Sequence, residues 1–111
     1  MPRVTFRPGE TIKLGGRLVD QEADKPLSGA TVVLQQYDPT TGLWKEVAST
    51  STGADGSFTF SLTLPDIEGT VRIRTYFPGT KEYAADASPA LTINIKRPKA
   101  AKTAVSLQVL E

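Results

Sequence analysis

Carboxylates alternate with neutral residues along Asp20-Gln21-Glu22-Ala23-Asp24, the spacing with which a loop wraps acidic side chains around a calcium ion. The sixth position of such a loop is Lys25, where glycine is required, and the twelfth is Thr31, where a bidentate glutamate belongs. An EF-hand is therefore rejected. A looser inter-loop calcium site would need Asp66 or Glu68 as well; without them the acids solvate a turn. Paired carboxylates also serve as acid and base in glycoside cleavage, but these acids lie in turn sequence and nothing points to a cleft. No catalytic residue, metal ligand or cofactor is assigned.

The aromatics offer a different chemistry. Tyr37, Trp44 and Tyr76 form the tentative ligand surface, because a ring face gives a sugar apolar contact while its edge stays wet. Tyr37 and Trp44 flank one loop and are expected close together. The plainer expectation buries Trp44 and lays the tyrosines over sheet edges. Arg72 and Arg74 share one strand face, with Lys96 expected near them on a neighbouring strand. Such a face suits an anionic cell-wall polymer, or simply keeps a sheet soluble and discourages edge pairing.

Two absences narrow the field further. The 111 residues contain no histidine and no cysteine, so Ser-His-Asp, Cys-His, thiolate-zinc and disulfide chemistry are impossible within the chain. The formal net charge of +1 gives no global field directed at nucleic acid or membrane. The basic stretch Lys96-Arg97-Pro98-Lys99-Ala100-Ala101-Lys102 lacks interleaved aromatics, which argues against nucleic acid. No apolar run approaches membrane-spanning length. No signal peptide is visible either, so the chain is expected to be an internal piece of a longer protein.

The elements that would hold these residues are strands. Phe58, Phe60, Leu62 and Leu64 alternate with Thr59, Ser61 and Thr63, and Val71, Ile73, Thr75 and Phe77 alternate with Arg72, Arg74 and Tyr76. Period two places each set on one face. Leu91, Ile93 and Ile95 repeat the pattern, and Ile12, Leu14 and Leu18 fall on one parity. Gly16 between them suggests a bulge or a close backbone approach. From residue 30 to residue 37, Val32 and Leu34 compete with Val33 and Tyr37 for the core. Trp44 and Val47 stand three apart, so strict alternation cannot bury both, and a bulge or an edge position is expected.

Turn chemistry separates the runs. Asp38-Pro39-Thr40-Thr41-Gly42 reads as a hairpin loop, and Gly53-Ala54-Asp55-Gly56 is the strongest hairpin signal. No amphipathic helix is evident. The sum is an all-β, immunoglobulin-like antiparallel β-sandwich of about seven strands. Its expected core is Ile12, Leu14, Leu18, Val32, Leu34, Phe58, Phe60, Leu62, Leu64, Val71, Ile73, Phe77, Leu91, Ile93 and Ile95. The sandwich is expected over residues 1–96. Residues 97–111 read as a basic linker followed by either the start of a further module or a terminal strand, since Val105, Leu107 and Val109 alternate with Ala104, Ser106 and Gln108.

An ordered set of motifs carries a family resemblance over about residues 4–96: Pro26-Leu27-x-Gly29-Ala30-x-Val32-x-Leu34, Trp44-x-x-Val47, Asp55-Gly56-x-Phe58-x-Phe60, Val71-x-Ile73 and Phe77-x-Gly79. The chain resembles the bacterial and archaeal immunoglobulin-like modules that occur in tandem in cell-surface proteins. It is also similar to carboxypeptidase-regulatory-like sandwiches, which share the Pro-x-x-Gly-x-x-Val and Asp-Gly-x-Phe elements. The resemblance implies a non-catalytic extracellular spacer or adhesion module of a larger cell-surface protein. The expected partners are neighbouring domains and cell-wall or extracellular glycans, with no nucleic acid and no membrane insertion, and the fragment is expected to be monomeric. The alternatives are a carbohydrate-binding module and an accessory domain of a secreted enzyme.

Overall fold

A computed structural model describes residues 5–98 and 103–110, and it is built from strands and turns. In chain order the strands are β1 (Thr5–Phe6), β2 (Thr11–Arg17), β3 (Val19–Asp20), β4 (Lys25–Pro26), β5 (Thr31–Asp38), β6 (Leu43–Ser51), β7 (Ser57–Thr63), β8 (Gly69–Phe77), β9 (Asp86–Ala87) and β10 (Leu91–Ile95). Six of these, β2, β5, β6, β7, β8 and β10, fall on the runs marked by alternation, and β1 lies within the further strand expected over residues 3–7. The short β3, β4 and β9, of two residues each, are additions that local patterning does not mark.

The larger sheet runs β1-β10-β8-β5-β6, with β9 also on β8, and β2 pairs with β7 in the second layer. Because successive strand residues point to opposite faces, one face of each layer is apolar. Val32, Leu34, Val71, Ile73, Phe77, Ile93 and Ile95 of the larger sheet are buried with Ile12, Phe58, Phe60 and Leu64. This is the immunoglobulin-like arrangement. Among the described residues one pairing is parallel, joining β1 to β10 with Thr5 opposite Asn94 and Phe6 opposite Ile95. Antiparallel pairing was expected throughout from the short connections, but these strands are the first and last, so no connection length constrains them.

The core differs from expectation at four leucines. Leu14, Leu18 and Leu62 are only partly buried, and Leu91 is 43% exposed. The cause is the narrowness of the second layer: two strands cannot cover the full width of the larger sheet. Leu14 and Leu91 meet instead across an open groove between β2 and β10.

Gly16 is a close approach, not a bulge. It pairs with Phe58, whose ring lies where a side chain at residue 16 would stand, 2.5 Å from an added Cβ. The turn at 53–56 also departs from expectation. It closes tightly, with the Gly56 amide donating to the Gly53 carbonyl and Gly53 to Ser57, and Gly56 holds a positive φ of 79°. Yet it is not a hairpin, since β6 belongs to the larger sheet and β7 to the smaller. The Leu18 amide bonds the Gly56 carbonyl and Thr52 bonds Ala30, so the two flanking strands are drawn to different partners. The Asp38–Gly42 loop does form a hairpin, with Gly42 donating to Asp38 at 2.8 Å.

Beyond β10, Arg97 holds the loop before β8: its amide donates to Glu68 Oε1 and its guanidinium to the Asp66 carbonyl. Residues 103–110 form no strand, and Val105 and Leu107 are 95% and 98% exposed.

Candidate functional site

The outer face of the larger sheet gathers the aromatics and arginines singled out above. In β8, Val71, Ile73 and Phe77 are buried, so Arg72, Arg74 and Tyr76 turn outward. In β5, burial of Val32 and Leu34 resolves the competition noted in the sequence, and Val33, Gln35 and Tyr37 take the outer face. Registration then puts Gln35 opposite Arg74 and Val33 opposite Tyr76.

Strand β6 reaches this face by an irregularity. Leu34 pairs with Ala48 and Thr50 with Val32, but Gln35 pairs with Glu46 and Tyr37 with Trp44, leaving Val47 as an extra residue. Without that bulge Trp44 would share the parity of Ala48 and Thr50 and point into the sandwich. One extra residue reverses the faces beyond it, so Glu46 and Trp44 turn outward. Both expected features are therefore present, since β6 is an edge strand and carries a bulge. Trp44 ends half-buried on the outer face and Val47 is 45% exposed.

Tyr37 and Trp44 meet edge to face, with ring centroids 5.4 Å apart. The Arg72 guanidinium lies 5.1 Å from the Tyr37 centroid and 5.8 Å from that of Trp44. Arg74 lies 4.3 Å from Trp44 and 5.9 Å from Tyr76. The ring quadrupole attracts a cation placed over its face, so the guanidiniums and rings interleave. Arg74 Nε donates to Gln35 Oε1 at 2.7 Å, which fixes the plane of that guanidinium. No described carboxylate forms an ion pair with either arginine. Thr92 of β10 stands opposite Arg72, and Asn94 opposite Thr70, extending the face with neutral hydrogen-bonding groups.

Lys96 does not join the arginines. It follows β10, four residues beyond Thr92, roughly 13 Å along a strand, where its amide bonds the Phe6 carbonyl. Sequence reading missed Gln35, Thr92 and Asn94. The parity of Gln35 with Tyr37 was available, but which strands are neighbours was not.

The acidic candidates are dispersed. Asp20 Oδ1 accepts from the amides of Glu22 and Ala23 in its own turn. Asp66 and Glu68 are engaged with Arg97. The two groups flank opposite ends of the β2–β7 ribbon, roughly 20 Å apart over its seven residues, so the inter-loop calcium site does not assemble. No acidic group able to hold a metal occurs among the described residues. Asp38, at the β5–β6 turn, has its carboxyl lowered to about 2, chiefly by its hydrogen bond with Lys45 Nζ and then by the Thr40 amide; the Lys45 pair measures 2.9 Å. Asp55 is lowered by the Ser57 hydroxyl, 2.6 Å away, and the Ser57 amide. Both are turn-fastening carboxylates.

A surface hollow of about 520 Å³ lies between the Val19–Glu22 turn and the Glu82–Asp86 loop. Asp20, Glu22, Glu82 and Asp86 sit around it, and the Asp20 carboxylate is directed into its own turn.

A two-layer sandwich whose most distinctive chemistry lies on an open sheet face defines an immunoglobulin-like domain of a larger protein. The chain matches the carboxypeptidase regulatory-like domain family over residues 13–106 and belongs to that family, which is non-catalytic in general. No curated protein and no solved structure matches it.

Proposed function

We propose that this domain is a non-catalytic spacer or adhesion module of a larger cell-surface protein, arranged in series with neighbouring domains. The observation that carries this reading is the parallel pairing of β1 with β10. When first and last strands run the same way, the incoming and outgoing chains point to opposite ends. Modules joined in this manner extend end to end instead of folding back. The Arg97 contacts with Asp66 and Glu68 support it by setting the direction of exit. The cell-surface location is supported by the ordered motifs shared with tandem surface modules.

Small-angle scattering on two copies joined head to tail tests the arrangement. A maximum dimension near twice that of one copy is expected. A compact pair folded side by side contradicts it. Labelling of the intact producing cells with an antibody to the domain checks the location, and staining only after lysis would refute it.

A second reading is favoured by the convergence of Tyr37, Trp44 and Tyr76 on one open face. It makes the module carbohydrate-binding, with the rings as the apolar floor of a glycan site. Glycan-array binding that disappears in a folded Trp44→Ala variant is the expected result, and an array without hits rejects this reading.

A further inference from the structure

The ring faces that a neutral sugar would stack upon are occupied by guanidinium groups. Arg74 covers Trp44, and Arg72 lies over Tyr37. We propose that this face binds an acidic polysaccharide, one whose sugar rings carry carboxylates, through Arg72 and Arg74. The proposal rests on the carbohydrate-binding reading and adds the charge of the ligand.

Three features of the face support it. First, the arginines are charged and unpaired by any described carboxylate, yet they are held in place by rings and by Gln35. With Arg74 Nε engaged by Gln35, its terminal nitrogens remain for a fork-like contact with a carboxylate. Holding the side chains beforehand reduces the ordering cost of binding. Second, residues two apart on a strand present their side chains on one face roughly 6.7 Å apart. That spacing suits a polymer with repeated charges better than a single small anion. Third, Gln35, Thr92 and Asn94 supply neutral donors and acceptors for sugar hydroxyls around the arginines.

The same face is poorly suited to a nucleic acid. Tracking a phosphate backbone takes a run of cations along the strand path, whereas this face offers a single pair, Arg72 and Arg74, on one strand. The aromatics here are interleaved with two arginines only, and the basic stretch 96–102 lies elsewhere in the chain.

Isothermal titration of the full chain with oligogalacturonate, a neutral cello-oligosaccharide of equal length, dextran sulfate and single-stranded DNA tests the proposal. Binding to oligogalacturonate is expected, weakening as salt is raised. Arg72→Gln and Arg74→Gln should each weaken it roughly tenfold or more, the effect of losing a charged hydrogen bond. Lys13→Gln removes the same charge from an exposed position of β2, in the other layer and away from this face, and should leave binding unchanged. An unaltered melting transition shows that each variant is folded. Equal binding of the neutral oligosaccharide overturns the acidic assignment and leaves the carbohydrate reading standing. Tighter binding of dextran sulfate or DNA overturns it in favour of a general polyanion surface. Equal losses in Lys13→Gln and the arginine variants overturn the placement on this face. If no glycan binds, both this proposal and the carbohydrate reading fall, while the spacer role is untouched.

Discussion

Thr52 ties the loop before β5 to the end of β6. It is 5% exposed, and its hydroxyl donates to the Leu27 carbonyl at 2.6 Å and accepts from the Ala30 amide at 3.0 Å. Thr52→Val keeps the shape but strands both backbone groups, so chemical denaturation should show a loss of about 1–3 kcal/mol. Gly16→Ala forces the Phe58 ring aside and should cost about 1–3 kcal/mol in the same measurement. The Asp38 carboxyl, lowered to about 2 by Lys45 and the Thr40 amide, has a pH signature. A depressed folded pKa contributes stability that is complete above the unfolded value near 3.9 and is lost as pH falls through the folded one. Asp38→Asn should therefore flatten the pH dependence of unfolding between about pH 4 and pH 2, while an unchanged slope would deny the lowering. None of this was legible for Thr52, since a buried threonine and an exposed one look alike in sequence. The tight approach at Gly16 was half legible: a glycine within an alternating run signals crowding but does not say whose ring fills the space.

At the scale of elements, alternation was enough to place the six longer strands, because burial of one face imposes period two. It was weakest at β6, where two readings competed. The bulge at Val47 decides which face Trp44 takes, and bulges leave no mark beyond a broken pattern. Deleting Val47 should keep the pairs on both sides, Ala48 with Leu34 and Glu46 with Gln35, leaving Trp44 outside. The emission spectrum of this tryptophan should then match that of the parent chain; a strong blue shift would mean that it had turned inward. The turn at 53–56 teaches the converse. Asp-Gly chemistry correctly signalled a tight reversal, but a local turn does not determine whether its flanking strands stay in one sheet. That depends on Leu18 and Ala30, bonded from distant parts of the chain.

For the molecule as a whole, the binding face exists only through strand order. Tyr37, Trp44, Arg72, Arg74 and Tyr76 come from three strands; their types and parities and the β5–β6 hairpin were readable, while the adjacency of β5 to β8 was not. The exit from the domain is similarly a product of distant contacts. The exposed Arg97–Asp66 pair, at 3.4 Å, should matter little to stability: Arg97→Ala is expected to cost less than about 1 kcal/mol in denaturation. The central claim is that the chain's distinctive chemistry lies on an open cationic face and not in a cleft. Trp44 is the sole tryptophan, so quenching of its fluorescence reads that face directly. Iodide, drawn in by the two guanidiniums, should quench it readily, and Arg74→Gln should reduce iodide quenching while leaving quenching by uncharged acrylamide in place. Emission resistant to both quenchers would put Trp44 in the interior and contradict the account.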